Sequence, residues 1–323
     1  GFEFDQITKD LLGASRNQSN KVGAITSTSA TDPAIMDPSK YGPNWYTAAA
    51  VTEKGETHVV NSDEDLKVAL QKAKAGDIIQ LASGDYKLSE SLAINKKLTI
   101  ESSDPGNKAV ISYQGSAGTP ALEMYPKGEL TLKNIQLKGT NGQYAFAPLE
   151  ENMSSLYNLK IEDCTISNFD FILKAYKYSF AEFIELNAST FSNCQNGLEL
   201  SEEREDKGEY NAENLFIDQC RFENIGKNVV DYYRGGYDES TVGGNLRITN
   251  SSFTNCGGKE ENSILLNTYG IINVDISKNT FENNPVQLIA QLWGAKNNSH
   301  SNNTVSNSGR INVEQNLKLN LLY

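Results

Sequence analysis

A five-residue pattern that ends in asparagine recurs six times in the second half of this 323-residue chain, and it restricts the possible folds more than any other feature. The copies are 164–168 (CTISN), 189–193 (STFSN), 220–224 (CRFEN), 251–255 (SSFTN), 279–283 (NTFEN) and 303–307 (NTVSN). Their closing asparagines are 25, 31, 31, 28 and 24 residues apart. A unit of this length cannot bury an apolar face alone, so consecutive units must stack on each other.

Alternating apolar runs precede the copies and favour one kind of stacked repeat. Runs such as 159–161 (LKI) and 246–248 (LRI) indicate short strands. A leucine-rich repeat needs a leucine ladder that is missing, and a propeller blade needs about 40 residues. The sequence therefore predicts an all-β fold, a right-handed parallel β-helix with one repeat per coil. The closing asparagines are predicted to lie at bends in the left-handed conformation, which Asn tolerates, and to stack on one another.

The segment before the repeats contains one predicted helix. Ser62 is a suitable N-cap, and acidic residues follow it at the positive end of the helix dipole. One apolar stripe follows, formed by Leu66, Ala69, Leu70 and Ala73. We predict a helix over about 62–75 that caps the first coil of a β-helix domain at 58–323. Residues 1–57 are irregular and are predicted to be a linker whose Trp45 and Tyr46 pack on the following domain.

Composition and missing motifs exclude several partners and chemistries. The 29 Lys and Arg against 41 Asp and Glu give a net charge of -12, which argues against nucleic acid as a partner. No stretch reaches the roughly 18 uninterrupted apolar residues of a membrane span. The two histidines lie far apart and no Cys/His cluster is present, so a zinc site is not predicted. The nucleophile-elbow, P-loop and dinucleotide motifs are also missing.

The four cysteines test the repeat register. Cys164 and Cys220 occupy one repeat position, and Cys194 and Cys256 occupy another. The members of each pair lie two coils apart, which at about 4.8 Å per coil separates them by about 10 Å. A disulfide needs Cα atoms within about 7 Å. We therefore predict four free, buried thiols without a catalytic role.

One face of the predicted solenoid carries aromatic and charged residues in register. Its outward residues, coil by coil, are Lys174 and Tyr176; Glu199 and Ser201; Asp231, Tyr233 and Arg234; Asn267 and Tyr269; Gln291 and Trp293. Rings that stack on sugars, beside Arg and Lys that pair with carboxylates, suit an acidic polysaccharide. The predicted substrate-binding residues are Lys174, Tyr176, Tyr233, Arg234, Tyr269 and Trp293. The alternative is a solvated or domain-packing face.

Within this face, Lys174 and Arg234 are weak candidates for the base and acid of a β-elimination, although they lie two coils apart. Arg234 has a structural alternative as well, because Asp238 and Glu239 can pair with it and hold the loop at 234–241 in place. The acidic run 202–207 is predicted to be an exposed loop.

Three stretches resemble polysaccharide lyase family 6, which contains alginate lyases and chondroitinase B relatives. The first is Asp10 to Arg16 (DLLGASR) with 21–25 (KVGAI), which resembles the end of a catalytic β-helix. The second is 41–45 (YGPNW), which resembles the junction between the two domains of longer members. The third is 229–241 (VVDYYRGGYDEST), which resembles a run in their second β-helix. Together they cover a small part of the chain, in the correct order.

The resemblance implies that 1–57 is the tail of a preceding domain and a linker, and that 58–323 is the C-terminal, pectin-lyase-like β-helix of a lyase that cleaves uronate-containing glycans. The family's catalytic domain uses a Lys base, an Arg acid and Ca²⁺. This chain lacks the acidic ligand motif followed by Asn-Lys, so no catalytic or metal-binding residue is assigned and no cofactor is expected here. Ca²⁺ would belong to the missing domain.

The implied partners are an acidic polysaccharide and the chain's own N-terminal catalytic β-helix. The implied location is secreted, periplasmic or at a bacterial cell surface, although no signal peptide opens the chain. Two alternatives stay open. One is a free-standing, non-catalytic carbohydrate-binding or scaffold β-helix. The other is a self-sufficient lyase that uses the face between Lys174 and Arg234.

Overall fold

The structure is a computed structural model that describes residues 8–10, 15, 55–202, 210–235, 241–258 and 262–316. Trp45, Tyr46, most of the first two stretches that resemble the lyase family, Asp238 with Glu239, and most of the acidic run at 202–207 lie outside the described residues. The chain divides into two units, 1–51 and 52–323, and the helix and named strands of the described residues all lie in the second. The assignment of 1–57 to a preceding domain stays a prediction.

Within the described residues, one helix and 28 strands follow each other along the chain. They are β1 (Thr57–Val60), α1 (Asp63–Lys72), β2 (Ile78–Leu81), β3 (Asp85–Leu88), β4 (Leu92–Ile94), β5 (Lys97–Ser102), β6 (Val110–Tyr113), β7 (Pro120–Met124), β8 (Glu129–Lys133), β9 (Gln136–Lys138), β10 (Tyr144–Pro148), β11 (Tyr157–Glu162), β12 (Thr165–Ser167), β13 (Phe171–Lys174), β14 (Ala181–Asn187), β15 (Thr190–Ser192), β16 (Asn196–Leu200), β17 (Ala212–Asp218), β18 (Arg221–Glu223), β19 (Val230–Tyr233), β20 (Gly243–Thr249), β21 (Ser252–Thr254), β22 (Ile264–Tyr269), β23 (Ile271–Ser277), β24 (Thr280–Glu282), β25 (Leu288–Trp293), β26 (Asn297–Ser299), β27 (Thr304–Ser306) and β28 (Arg310–Glu314).

The strands form three parallel sheets, and the chain passes through them in a fixed order. Sheet I is β1-β2-β5-β8-β11-β14-β17-β20-β23-β26. Sheet II is β3-β6-β9-β12-β15-β18-β21-β24-β27, and sheet III is β4-β7-β10-β13-β16-β19-β22-β25-β28. Each coil thus gives one strand to each sheet, and each strand pairs with its equivalents in the neighbouring coils. The prediction of a right-handed parallel β-helix of the pectin-lyase-like type is confirmed.

The closing asparagines lie at the bend between sheets II and III in the left-handed conformation, as predicted. Their φ angles are 64° at Asn168, 54° at Asn193, 55° at Asn224, 53° at Asn255, 55° at Asn283 and 45° at Asn307. Some also bond to one another through their side chains, since Asn224 Nδ2 lies 3.1 Å from Asn193 Oδ1. These bends fix the register of every coil, and therefore the placement of every outward side chain.

The interior is a continuous apolar column. Its most regular part is a stack of four fully buried phenylalanines, Phe191, Phe222, Phe253 and Phe281, whose ring centroids are 4.9, 5.0 and 4.9 Å apart. The four cysteines are buried and free, as predicted. Because the coils stack in register, equivalent apolar side chains lie on top of one another, and each coil covers the apolar side chains of its neighbours.

Helix α1 covers the first coil, and it is shorter than the predicted 62–75. Ser62 caps it, because its side chain accepts a hydrogen bond from the Asp65 amide at 3.2 Å. Its apolar stripe is buried as predicted, with Leu66 fully enclosed. This ten-residue helix is too short to cross a bilayer, and no apolar helix of spanning length occurs elsewhere in the described residues.

Candidate functional site

The predicted outward face lies on sheet III, and its strand residues are in register. Ser201 and Gln291, which were predicted to face outward, are buried. Lys174 pairs with Glu199, which pairs with Asp231, and the row continues through Asn267, Gln291 and Asn312. A second row two residues further along the strands contains Tyr233, Tyr269, Trp293 and Glu314. We call Tyr233, Tyr269 and Trp293 the aromatic ladder. The register predicted from the repeats is therefore confirmed, while substrate binding stays a prediction.

The aromatic ladder is a stack of half-buried rings on three neighbouring coils. Tyr233 and Tyr269 are stacked with centroids 5.8 Å apart, and Tyr269 and Trp293 are tilted by 38° with centroids 6.4 Å apart. The Asn267 amide orders the ladder, since its Nδ2 donates to the Tyr233 hydroxyl at 2.8 Å and to Asp231 Oδ1 at 2.9 Å. The Tyr233 ring is thus held both by a hydrogen bond and by stacking on Tyr269.

Lys174 lies two coils from the aromatic ladder and is neutralised by acidic neighbours. Its Nζ is 2.5 Å from Glu199 Oε1 and 3.6 Å from Glu202 Oε1. The same ammonium lies 5.1 Å from the centroid of the Phe171 ring. A salt-bridged ammonium has no lone pair with which to accept a proton, so this arrangement holds the side chain in place and does not make it a base.

A cleft of about 550 Å³ opens beside Lys174. Residues that sequence reasoning missed line it, namely Glu150, Glu151, Asn152, Met153 and Tyr178, together with Lys174, Tyr176, Lys177 and Glu202. Burial raises the pKa of the Tyr176 hydroxyl to about 12, and Tyr144 and nearby glutamates add to the shift. Tyr176 therefore stays protonated and can donate a proton or a hydrogen bond. The loop at 149–153 has no repeat signature, and this is why the pattern did not reveal it.

Arg234 does not face outward as predicted. It directly follows β19, where the chain leaves sheet III, and only 6% of the residue is exposed. Its guanidinium is held by Glu213 at 2.5 Å, by the Thr241 carbonyl at 2.9 Å and by the Tyr210 ring at 3.7 Å. Along β19 the side chains alternate, with Tyr232 buried and Asp231 and Tyr233 half-buried on the outer face. Arg234 continues this alternation on the inward side, so it and its neighbour Tyr233 cannot both face outward. The placement matches a structural role and separates Arg234 from Lys174.

One cluster in the described residues combines three side chains of metal-ligand type, and it does not fit calcium. It consists of Glu56, His58 and Asp77. Ca²⁺ takes six to eight oxygen ligands. Here an imidazole replaces one oxygen, and the Asp77 carboxylate already accepts the Glu56 amide, the Lys74 amide and His58 at 2.9, 2.8 and 2.7 Å. The cluster is a structural clamp, and no reaction step is derived from it.

Comparison with known proteins gives matches to solved structures. No family model and no curated protein sequence matches the chain. A mutant of the PL6 family alginate lyase AlyGC matches with a TM-score of 0.64 and 24% identity, over 83% of this chain and 42% of that one. A second AlyGC structure matches with a TM-score of 0.61 and 23% identity, over 84% and 42%.

An alginate lyase from a Paenibacillus species also matches, with a TM-score of 0.50 and 18% identity, over 80% of this chain and 99% of that one. At identities this low, the matches establish the fold alone, which is a β-helix like those of polysaccharide lyases. The chain spans only 42% of the length of AlyGC, so the activity of a whole lyase is a separate question.

Proposed function

We propose that this chain is the accessory C-terminal β-helix of a two-domain polysaccharide lyase that cleaves uronate-containing glycans by β-elimination. The observation that carries the proposal is the match to AlyGC, which uses most of this chain and 42% of that protein. In this proposal, a second domain of similar size precedes this chain in the native protein, and that domain is the catalytic β-helix. Any Ca²⁺ would be held there.

The geometry of sheet III favours an accessory role over a catalytic one. β-Elimination needs a base that removes the proton next to the uronate carboxylate and an acid that protonates the leaving glycosidic oxygen. Lys174 is salt-bridged to Glu199 and Glu202, and Arg234 is buried against Glu213. The half-buried aromatic ladder follows the solenoid over three neighbouring coils, and sheet III is proposed as a surface that guides the polymer.

The Paenibacillus lyase favours a second candidate function. Almost its whole length matches this one β-helix, so a lyase of this size need not contain a second domain. In that case the cleft beside Lys174 is the active site, Tyr176 is the proton donor, and Lys174 must leave its glutamate partners before it can act as base.

One assay separates these functions. The isolated chain and the longer native product with its upstream domain are incubated with alginate and with chondroitin, and the ultraviolet absorbance of unsaturated uronate is followed. The accessory role predicts a rise only with the longer protein. A rise with the isolated chain that disappears in Lys174→Ala and Tyr176→Phe, but not in the exposed control Lys133→Ala, overturns the accessory role and establishes the second candidate. No rise with either protein leaves a non-catalytic binding or scaffold module and contradicts both.

A further inference from the structure

A second ordered surface lies on sheet I, across β17, β20, β23 and β26. One row contains Asn214, Asn245, Asn273 and Asn297, which pair in register, and we call it the amide ladder. The neighbouring row contains Phe216, Arg247, Asp275 and Ser299. The two rows line an open groove of about 490 Å³ that is distinct from the face on sheet III.

The amide ladder is preorganised by its own hydrogen bonds. Asn245 Nδ2 donates to Asn214 Oδ1 at 2.7 Å, Asn273 Nδ2 to Asn245 Oδ1 at 2.9 Å, and Asn297 Nδ2 to Asn273 Oδ1 at 2.8 Å. A carboxamide has two N–H groups and two oxygen lone pairs. Asn245 uses one of each within the ladder, so it keeps a donor and an acceptor for a hydroxyl group. The ladder repeats at the coil spacing of about 4.8 Å.

Arg247 provides an available positive charge beside the amide ladder. Its guanidinium lies over the Phe216 ring, 4.5 Å from the centroid, and the residue is exposed. Among the described residues, the arginine ion pairs are those of Arg221 and Arg234. The planar fork of donors on Arg247 is therefore free to take a carboxylate, which is the anion that it fits best.

Two acidic side chains near Arg247 accept hydrogen bonds from other groups, namely Asp275 on the neighbouring strand and Asp218. Asp275 Oδ1 accepts from the Ser277 hydroxyl at 2.7 Å. Asp218 Oδ1 accepts from Thr249 Oγ1 at 2.6 Å and from Asn250 Nδ2 at 2.7 Å. The charge of Arg247 acts on Asp218, but no ion pair among the described residues joins the guanidinium to either carboxylate.

We propose that this groove binds an acidic glycan that runs along the solenoid axis. One sugar carboxylate is held by the Arg247 guanidinium, and hydroxyl groups of adjacent sugar residues bond to Asn245 and donate to Asn273 Oδ1. The Asn273 Nδ2 is already used, because it donates to Asn245 and to the Gly244 carbonyl. The positive charge and the periodic amides are complementary to a polymer that carries both carboxylates and hydroxyls. The choice of a uronate as the sugar rests on the proposed function, whereas recognition of a carboxylate does not.

The test is a titration of the full chain with oligomeric alginate, followed by calorimetry and by NMR. Arg247→Ala should weaken binding about tenfold or more, because a charge-assisted pair is lost. Arg247→Lys should restore part of the affinity, since it keeps the charge and loses the fork. Arg221→Ala is the matched control, an exposed arginine on sheet II, and should bind like the wild type. Binding should fall with added NaCl, and neutral cello-oligosaccharides should bind more weakly.

Several outcomes overturn the proposal. Unchanged affinity in Arg247→Ala does so, provided that thermal unfolding shows the variant to be folded. So does affinity that is lost in Tyr269→Ala alone, because the site then lies on sheet III. A change of oligomeric state in Arg247→Ala without a change in glycan affinity identifies the groove as a contact between copies. If alginate does not bind at all while the longer protein cleaves it, this proposal fails and the proposed function stands.

Discussion

Asp77 joins three segments at the entrance to the first coil. Its carboxylate accepts hydrogen bonds from the Glu56 amide in the segment before β1 and from the Lys74 amide after α1, and it contacts the His58 ring in β1. These bonds lower the pKa of Asp77 from 3.8 to about 2, and the His58 contact is the largest cause. Because the charged form is favoured by the fold, ionised Asp77 stabilises the fold.

We predict that Asp77→Asn lowers the melting temperature near neutral pH. The pKa is depressed in the folded state, so the stabilisation is fully present above the ordinary value of 3.8 and is lost as the pH falls through about 2. The difference from the wild type should therefore shrink as the pH is lowered through this range. Asp85→Asn is the control, an exposed carboxylate that accepts only a Ser112 hydroxyl bond among the described contacts. A difference that stays constant with pH contradicts this account.

We also predict that the cysteines react slowly in the folded protein. Burial raises the thiol pKa to about 12 for Cys164, Cys220 and Cys256 and to about 11 for Cys194. At pH 8 the thiolate fraction of a group with pKa 12 is about one in ten thousand. Mass spectrometry should find little alkylation when the native protein is treated. It should find four alkylated cysteines when the protein is denatured without a reducing agent and then treated. Fewer than four would mean a disulfide and an incorrect coil register.

At the scale of strands and bends, the first residue of each repeated pattern has a defined task. In the later coils this residue is Ser251, Asn279 or Asn303, and its side chain bonds to the backbone of the coil before it. Asn279 Oδ1 accepts the Ser251 amide at 2.9 Å, and its Nδ2 donates to the Ile248 carbonyl at 2.8 Å. The side chain is almost fully buried. It therefore satisfies two backbone groups that water cannot reach.

We predict that Asn279→Ala destabilises the protein by about 2–6 kcal/mol, because it leaves two buried backbone groups unsatisfied and each costs about 1–3 kcal/mol. Asn273→Ala on the exposed amide ladder is the matched control and should cost much less, since water replaces its partners. Asn279→Ser should recover part of the loss, because Ser251 fills the same repeat position and bonds the Cys220 amide at 3.0 Å. Urea denaturation of the three variants measures the differences. Equal losses at positions 279 and 273 would contradict the prediction.

The same elements explain what sequence reasoning could and could not predict. The closing asparagines were predictable because one residue type recurs at one position. The bend between sheets I and II has the same left-handed conformation in these coils, but its residues are of five types: Asp163, Ala188, Gln219, Asn250, Lys278 and Asn302. The amide ladder had a readable signal that was missed, since its members are spaced 31, 28 and 24 residues apart, like the last four closing asparagines. Arg234 was misplaced because Tyr233 and Arg234 were both assigned to the outer face, although consecutive side chains of an extended strand point to opposite sides.

At the scale of the whole molecule, a solenoid must cover the apolar side chains of its terminal coils, because these have a neighbouring coil on one side only. The first coil is covered by α1, which places Leu66 against the column that includes Val60 and Ile79, all fully buried. The last described coil is polar and more exposed, and Val305 occupies the stacking position with 48% exposure. The described β-helix thus contains its own first cap, whereas its last described coil leaves Val305 exposed and Ile311 and Val313 only partly buried against the column.

We therefore predict that deletion of residues 1–35 leaves the melting temperature of the chain unchanged, because the first coil is already covered by α1. Leu66→Ala should destabilise the protein by about 2–5 kcal/mol, since it opens a cavity between the cap and the column. Val68→Ala, an exposed position on the same helix, is the control and should have little effect. Calorimetric unfolding of the four proteins measures this. If the deletion unfolds the protein while Leu66→Ala is silent, the N-terminal segment is an integral part of the β-helix, and its proposed origin in a preceding catalytic domain loses its support.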